Sequence, residues 1–141
     1  MGESKNKGVF VGQDVLKSEA WLSLSGIAPQ VYMLFLTKRR MEKEQRKKNK
    51  EKWTCTNNGE LIFTYRDAEA KYRITPTRFR RAIDMLIDRG FIEIAKPGNG
   101  VAKVATEYGL SERWRKYGEA DFQRNPRVLV RVGYCRKRKQ E

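Results

Sequence analysis

The sequence predicts an α+β domain, mainly helical, with a small β-hairpin. Three observations lead there. Apolar side chains recur at helical spacing over 76–89, strict alternation starts directly afterwards in "FIEIAK", and "KPGNG" offers a turn that folds the alternation back on itself. One element cannot carry both a 3.6-residue and a 2-residue period, so the change of period marks a helix-to-strand boundary. With 141 residues the chain can bury a core without disulfide or metal staples, as one domain with extensions.

Taken in order, residues 1–9 are largely polar and read as a flexible N-terminus, and the domain itself as 10–120. Val15, Leu16, Ala20, Trp21 and Leu24 indicate a short helical segment ending near Gly26. "IAPQVYMLFLTKRRMEKEQ" reads as a longer helix, with Pro29 in its first turn and Val31, Leu34, Phe35 and Met41 along one stripe. Residues 38–52 hold nine basic and three acidic side chains. That run reads as a solvated helix end passing into a mobile loop, with 38–58 as the charged segment.

Asn57-Asn58-Gly59 is turn chemistry, and "ELIFT" reads as a short strand. Thr64, with Asp67 three places on, has the spacing that caps a helix over "YRDAEAKYR". Thr75 is a good N-cap, and Pro76 suits the first helical position, where the missing N–H had no partner. Phe79, Ala82, Ile83, Leu86 and Ile87 form one buried face, and Gly90 stands where left-handed φ ends a helix. "FIEIAK" and "VAKVAT" pair around 97–100 as a hairpin spanning about 91–105. "SERWRKYG" reads as a helix capped by Ser111, with Trp114 and Tyr117 packing on the body. Residues 121–141 form a basic C-terminal tail. In it "RVLVRV" has the alternation of an edge strand, or of one that pairs with another chain.

Charge narrows the function. Thirty-one basic and seventeen acidic side chains give a net +14, which implies a polyanion partner. No run of 18 apolar residues argues for a membrane span, and the first residues lack an apolar signal core. There is no histidine, and Cys55 and Cys135 have no metal-ligand spacing, so no metal or cofactor is expected. Two lone thiols fit a reducing cytosol.

The helix beginning at Pro76 carries the sharpest signal. Thr77, Arg81, Asp84 and Asp88 point away from its apolar face, flanked by Arg78 and Arg80. Basic residues thus crowd the positive end of the helix dipole, the reverse of what helix stability favours. An external anion would complete the balance. Two helices joined at "RIT", the second with a basic N-terminal half, make a helix-turn-helix, and the hairpin adds a wing.

"GELIFTYRDAEAKYRITPTRFRRAIDMLIDRGFIEIAKPGNG" resembles the winged helix-turn-helix DNA-binding proteins of bacteria, phage and mobile elements, regulatory or replication-associated. The resemblance covers about 58–106. It implies base readout by Thr75, Thr77, Arg78 and Arg81, with Arg66 at the start of the preceding helix on the DNA backbone. Arg80, Lys96, Asn99 and Lys103 join it there, the last three from the wing. The family often has Gly or Asn where this chain has Arg73. Either the turn differs, or Arg73 tolerates positive φ because its charge is useful on the backbone. The expectation is a non-enzymatic, cytoplasmic, nucleoid-associated protein whose partner is double-stranded DNA. A homodimer through the 29–41 helix is one option, and no small-molecule ligand is evident.

Two readings compete. Aromatics among arginines in "ERWRKYGEADFQR" and "VGYCRKRK" suit single-stranded RNA. Asp67, Glu69 and Lys71 echo half of a metal-dependent nuclease site, but alternate helix positions do not share a face.

Overall fold

A computed structural model describes residues 8–44, 52–99 and 104–122. Two short helices, α1 (Gln13–Lys17) and α2 (Glu19–Leu22), precede α3 (Ala28–Leu36). Strands β1 (Met41–Glu44) and β2 (Lys52–Cys55) follow, then α4 (Tyr65–Tyr72) and α5 (Pro76–Arg89). Strands β3 (Ile92–Lys96) and β4 (Glu107–Leu110) and a 3₁₀ helix (Arg113–Lys116) complete the described chain. The fold is α+β, with two separate two-stranded antiparallel sheets, β1–β2 and β3–β4.

The core forms where α5 lies across α3. Phe79, Ala82, Ile83, Leu86 and Ile87, the whole apolar stripe, are buried. Aromatic rings tie the elements together. Phe63 meets Phe79 at 4.8 Å and Phe35 at 5.3 Å between centroids, and Phe35 meets Tyr108 of β4 at 5.2 Å. Edge-to-face pairs of this kind add about 0.5–1.5 kcal/mol each beyond the area they bury. Val31 and Phe35 are fully buried in this core, so the α3 stripe offered for a dimer already serves the chain's own packing.

Both ends of α5 are as the sequence predicts. Thr75 Oγ1 accepts from Arg78 N–H, and Gly90 sits at φ 90°. Gly90 N–H donates to Ile87 O, and Phe91 N–H to Leu86 O, so two terminal carbonyls are satisfied. Thr64 caps α4 by accepting from Asp67 N–H at 3.0 Å.

Six expectations are corrected. The N-terminal helical segment is two helices, because Ser18 is extended (ψ 151°) and its Oγ caps α2 by accepting from Trp21 N–H. The helix expected over 29–41 stops at Leu36. Thr37 Oγ1 donates to Leu34 O at 2.6 Å, Arg39 Nε donates to Leu36 O, and Met41 opens β1. The stretch expected as a mobile charged loop therefore contains a hairpin, Met41 opposite Cys55 and Glu44 opposite Lys52. "ELIFT" shrinks to one bridge: Leu61 exchanges hydrogen bonds of 2.9 and 2.7 Å with Tyr108, and the Thr64 cap then turns the chain into α4.

The hairpin's return strand is displaced as well. Ile92 pairs with Leu110 and Ile94 with Tyr108, so β4 begins after "VAKVAT". Burial of Tyr108 against Phe35 sets that register. The register shifts within β3, between Ile94 and Lys96; beyond the strand Gly98 N–H donates to Thr106 Oγ1 and Asn99 bridges Val104. Finally, "SERWRKYG" forms a 3₁₀ turn rather than a capped α-helix. Ser111 Oγ still accepts from Arg113 N–H, and Trp114 stacks on Phe91 with an interplanar angle of 15°. The basic tail beyond 122 lies outside the described residues. Among the described residues, no helix is long and apolar enough to cross a membrane.

Candidate nucleic-acid interface

Three residues join α4 to α5. Arg73 adopts left-handed φ 59°, ψ 36°, the only non-glycine to do so among the described residues. Its N–H donates to Glu69 O, Ile74 N–H donates to Ala68 O, and Ile74 itself is buried. The turn is thus the one a glycine would make, with an exposed arginine in its place. Left-handed φ costs a side-chain-bearing residue roughly 1–2 kcal/mol, part of which glycine's extra freedom in the unfolded chain gives back. Arg73→Gly is therefore expected to raise stability by up to about 1 kcal/mol in urea unfolding while weakening duplex binding. Unchanged stability would mean that the turn relaxes at no cost.

Thr75, Thr77, Arg78, Arg80 and Arg81 are all exposed along the first half of α5. Arg66 is exposed in the first turn of α4, and Lys96 and Asn99 are exposed on the β3 side of the hairpin. Lys103 lies outside the described residues. The sequence-derived set thus falls on α5, on the α4 start and joint, and on the β3 side of the hairpin.

The cations divide into two groups. Arg89 is held by Asp88 at 2.6 Å and by Ser23 Oγ at 2.8 Å. Arg115 meets Asp14 and Glu112, Lys116 meets Asp121, and Arg113 donates to the carbonyls of Ile87 and Ile92. These side chains are engaged within the chain itself. In contrast, no ion pair or hydrogen bond among the described residues engages the guanidinium group of Arg66, Arg73, Arg78, Arg80 or Arg81. The first turn of α5 contains no acid. Three guanidinium groups therefore add to the positive end of the helix dipole, and an anion placed there gains from both.

The surface beside these arginines is concave. A cleft of about 260 Å³ runs between Ser25, Gly26 and Ile27 on one wall and Arg78, Arg81 and Met85 on the other. Ser25 N–H donates to Met85 Sδ across it at 3.3 Å. A second groove, about 310 Å³, separates Thr64 and Tyr65 at the start of α4 from Asn99 and Val104 of the hairpin.

Two features escaped sequence reasoning. Asn57 Oδ1 accepts from Arg40 N–H at 2.7 Å while its Nδ2 donates to Lys38 O at 3.0 Å. Asn58 likewise grips Leu110, accepting at 2.7 Å and donating at 3.3 Å. Adjacent asparagines thus fix the root of one hairpin and the end of the other. The "NNG" triplet signalled a turn but gave no hint of partners some 17 and 52 residues away. The second feature is Lys38, whose ammonium sits 4.5 Å from the centre of the Phe63 ring. Burial holds its pKa below the usual lysine value; Asp67 opposes that shift and Lys71 adds to it. Comparison with protein-family models, curated proteins and solved structures finds no match.

Proposed function

We propose that this chain is a DNA-binding protein of the winged helix-turn-helix class. Its particular role is that of a regulator or replication accessory of a bacterial or phage mobile element, acting at the nucleoid by binding rather than by catalysis. The element order supports the class: α3, the single bridge at Leu61, α4, α5, then β3 and β4, with Leu61 pairing to β4 as a short first strand does in such domains. One observation carries the function: the guanidinium groups on the first half of α5 are exposed and meet no acid among the described residues, whereas Arg89 and Arg115 each meet one.

In this reading α5 enters the major groove, where Arg78 and Arg81 pair with guanine edges and Thr75 and Thr77 meet thymine methyls or phosphates. Arg66, Arg73 and Arg80 hold phosphates, and the β3–β4 hairpin brings Lys96, Asn99 and Lys103 to the neighbouring backbone. The test is selection of bound sequences from random duplexes, followed by anisotropy titrations of parent and Arg81→Ala. On the selected site Arg81→Ala is expected to lose about 1–3 kcal/mol and to tolerate substitution at one base pair. Equal weakening on every sequence would remove Arg81 from base readout.

A further inference from the structure

The cleft between the α2–α3 turn and α5 is furnished in a way that duplex binding alone does not require. One wall is a single face of α5, where Arg78, Arg81, Ala82 and Met85 stand at i, i+3, i+4 and i+7. The other is the turn from Ser25 to Ile27 that leads into α3. Its apolar lining is Ala82, which is buried, with Ile27 and Met85, which are half-buried.

The side-chain polar groups of the cleft are all donors. Arg78 and Arg81 bring guanidinium groups that no acid among the described residues engages, and no carboxylate lines the cleft. Ser25 adds its backbone N–H and its hydroxyl, which donate to Met85 Sδ at 3.3 and 3.8 Å. A thioether is a weak acceptor, so both donors would gain from a stronger one. Cations and donors beside an apolar lining suit a ligand with an anionic head and an apolar body. A DNA phosphate supplies the head alone and leaves Ile27, Ala82 and Met85 uncovered. The volume of about 260 Å³ lies just under the usual range of about 300–1,000 Å³ for small-molecule sites, so the body is small.

We propose that this cleft binds a small organic carboxylate, with its head on Arg78, Arg81 and Ser25 and its apolar body against Ile27, Ala82 and Met85. The planar guanidinium fork matches a carboxylate, which takes two parallel N–H donors. A regulatory consequence follows, and it rests on the DNA-binding reading. Arg78 and Arg81 are the side chains assigned there to guanine edges, and one guanidinium cannot serve both partners. The acid and the duplex therefore exclude each other, and each lowers the other's affinity by the same factor.

The test titrates benzoate and hexanoate into the full chain carrying methyl-labelled methionine, with ionic strength held constant by chloride. Met85 is one of four methionines, so its methyl resonance can be followed by NMR against those of Met33 and Met41. Both acids are expected to shift the Met85 methyl saturably. Benzamide, which keeps the apolar body without the charge, and inorganic phosphate, which keeps the charge without the body, should not. Arg78→Ala and Arg81→Ala, both at exposed positions, should keep the parent's melting temperature and weaken the acids by about tenfold or more. Anisotropy should show duplex affinity falling as the acid fills the cleft. No saturable shift, an equal shift with phosphate, or a shift that survives both substitutions would overturn the site. Acid binding that leaves duplex affinity unchanged, in a parent that binds DNA, would overturn the mutual exclusion. A parent that takes the acid but binds no duplex in dilute salt would overturn the DNA-binding reading and leave the site standing.

Discussion

Gly90→Ala is expected to destabilise the protein by about 2–5 kcal/mol, a large share of the about 5–15 kcal/mol that keeps an ordinary domain folded. Two costs coincide at this residue. Its φ is 90°, which strains any side-chain-bearing residue by roughly 1–2 kcal/mol. A Cβ built there would also lie 2.6 Å from Trp114 N and 2.8 Å from Arg113 C, both backbone atoms that cannot swing aside. Overpacking of that kind adds about 1–3 kcal/mol. Gly118 is the internal control: its φ is 94°, but no atom of the described residues lies within 4 Å of an added Cβ. Gly118→Ala should therefore show the backbone cost alone. Urea unfolding of both variants checks the difference, and equal losses would show that the close approach of the 3₁₀ helix is not a constraint.

Phe79→Ala is expected to cost about 3–5 kcal/mol, the range for emptying a large aromatic site. Phe79 is fully buried between Phe63 at 4.8 Å and Tyr65 at 5.1 Å. Those rings come from the segment leading into α4 and from its first residue, so Phe79 sets how α5 leans on α4. The angle between the two helices decides which side chains reach a groove together. Where the variant still folds, in the cold or with stabilising osmolyte, its preference among duplexes should blur while Arg78, Arg80 and Arg81 remain. A variant less than about 1 kcal/mol weaker than the parent would mean that the site collapses around the void.

The segment from Thr64 to Gly90 was legible because each of its signals is local. Thr64 and Thr75 cap from three residues away, Pro76 presets the first turn, and the stripe from Phe79 to Ile87 needs only a 3.6-residue period. The outward direction of Arg78, Arg80 and Arg81 followed from the same wheel, and so did their place on the exposed face. The end of α3 was not legible. "TKRRMEKE" is rich in good helix formers, and what overrides them is pairing of Arg40 with Thr56 and Asn57, contacts that no local window contains. The same holds for β4. "VAKVAT" alternates as well as "EYGL" does, and only the burial of Tyr108 against Phe35 from α3 decides between them. Arg73 shows the reverse case. Its cost was visible as a departure from glycine, while its exposure, which leaves the charge available, emerged only from the folded turn.

The arginines at the start of α5 are proposed to meet a nucleic-acid duplex. The most direct test is the equilibrium binding of the purified full chain to fluorescent duplex DNA as salt rises from about 50 to about 200 mM, with structured RNA as competitor. Tight association is expected at the low end, with a steep linear loss on a double-logarithmic plot and a slope of about −0.9 per phosphate neutralised. Duplex DNA is also expected to outcompete RNA. No association in dilute salt, or binding that RNA displaces first, would contradict this proposal.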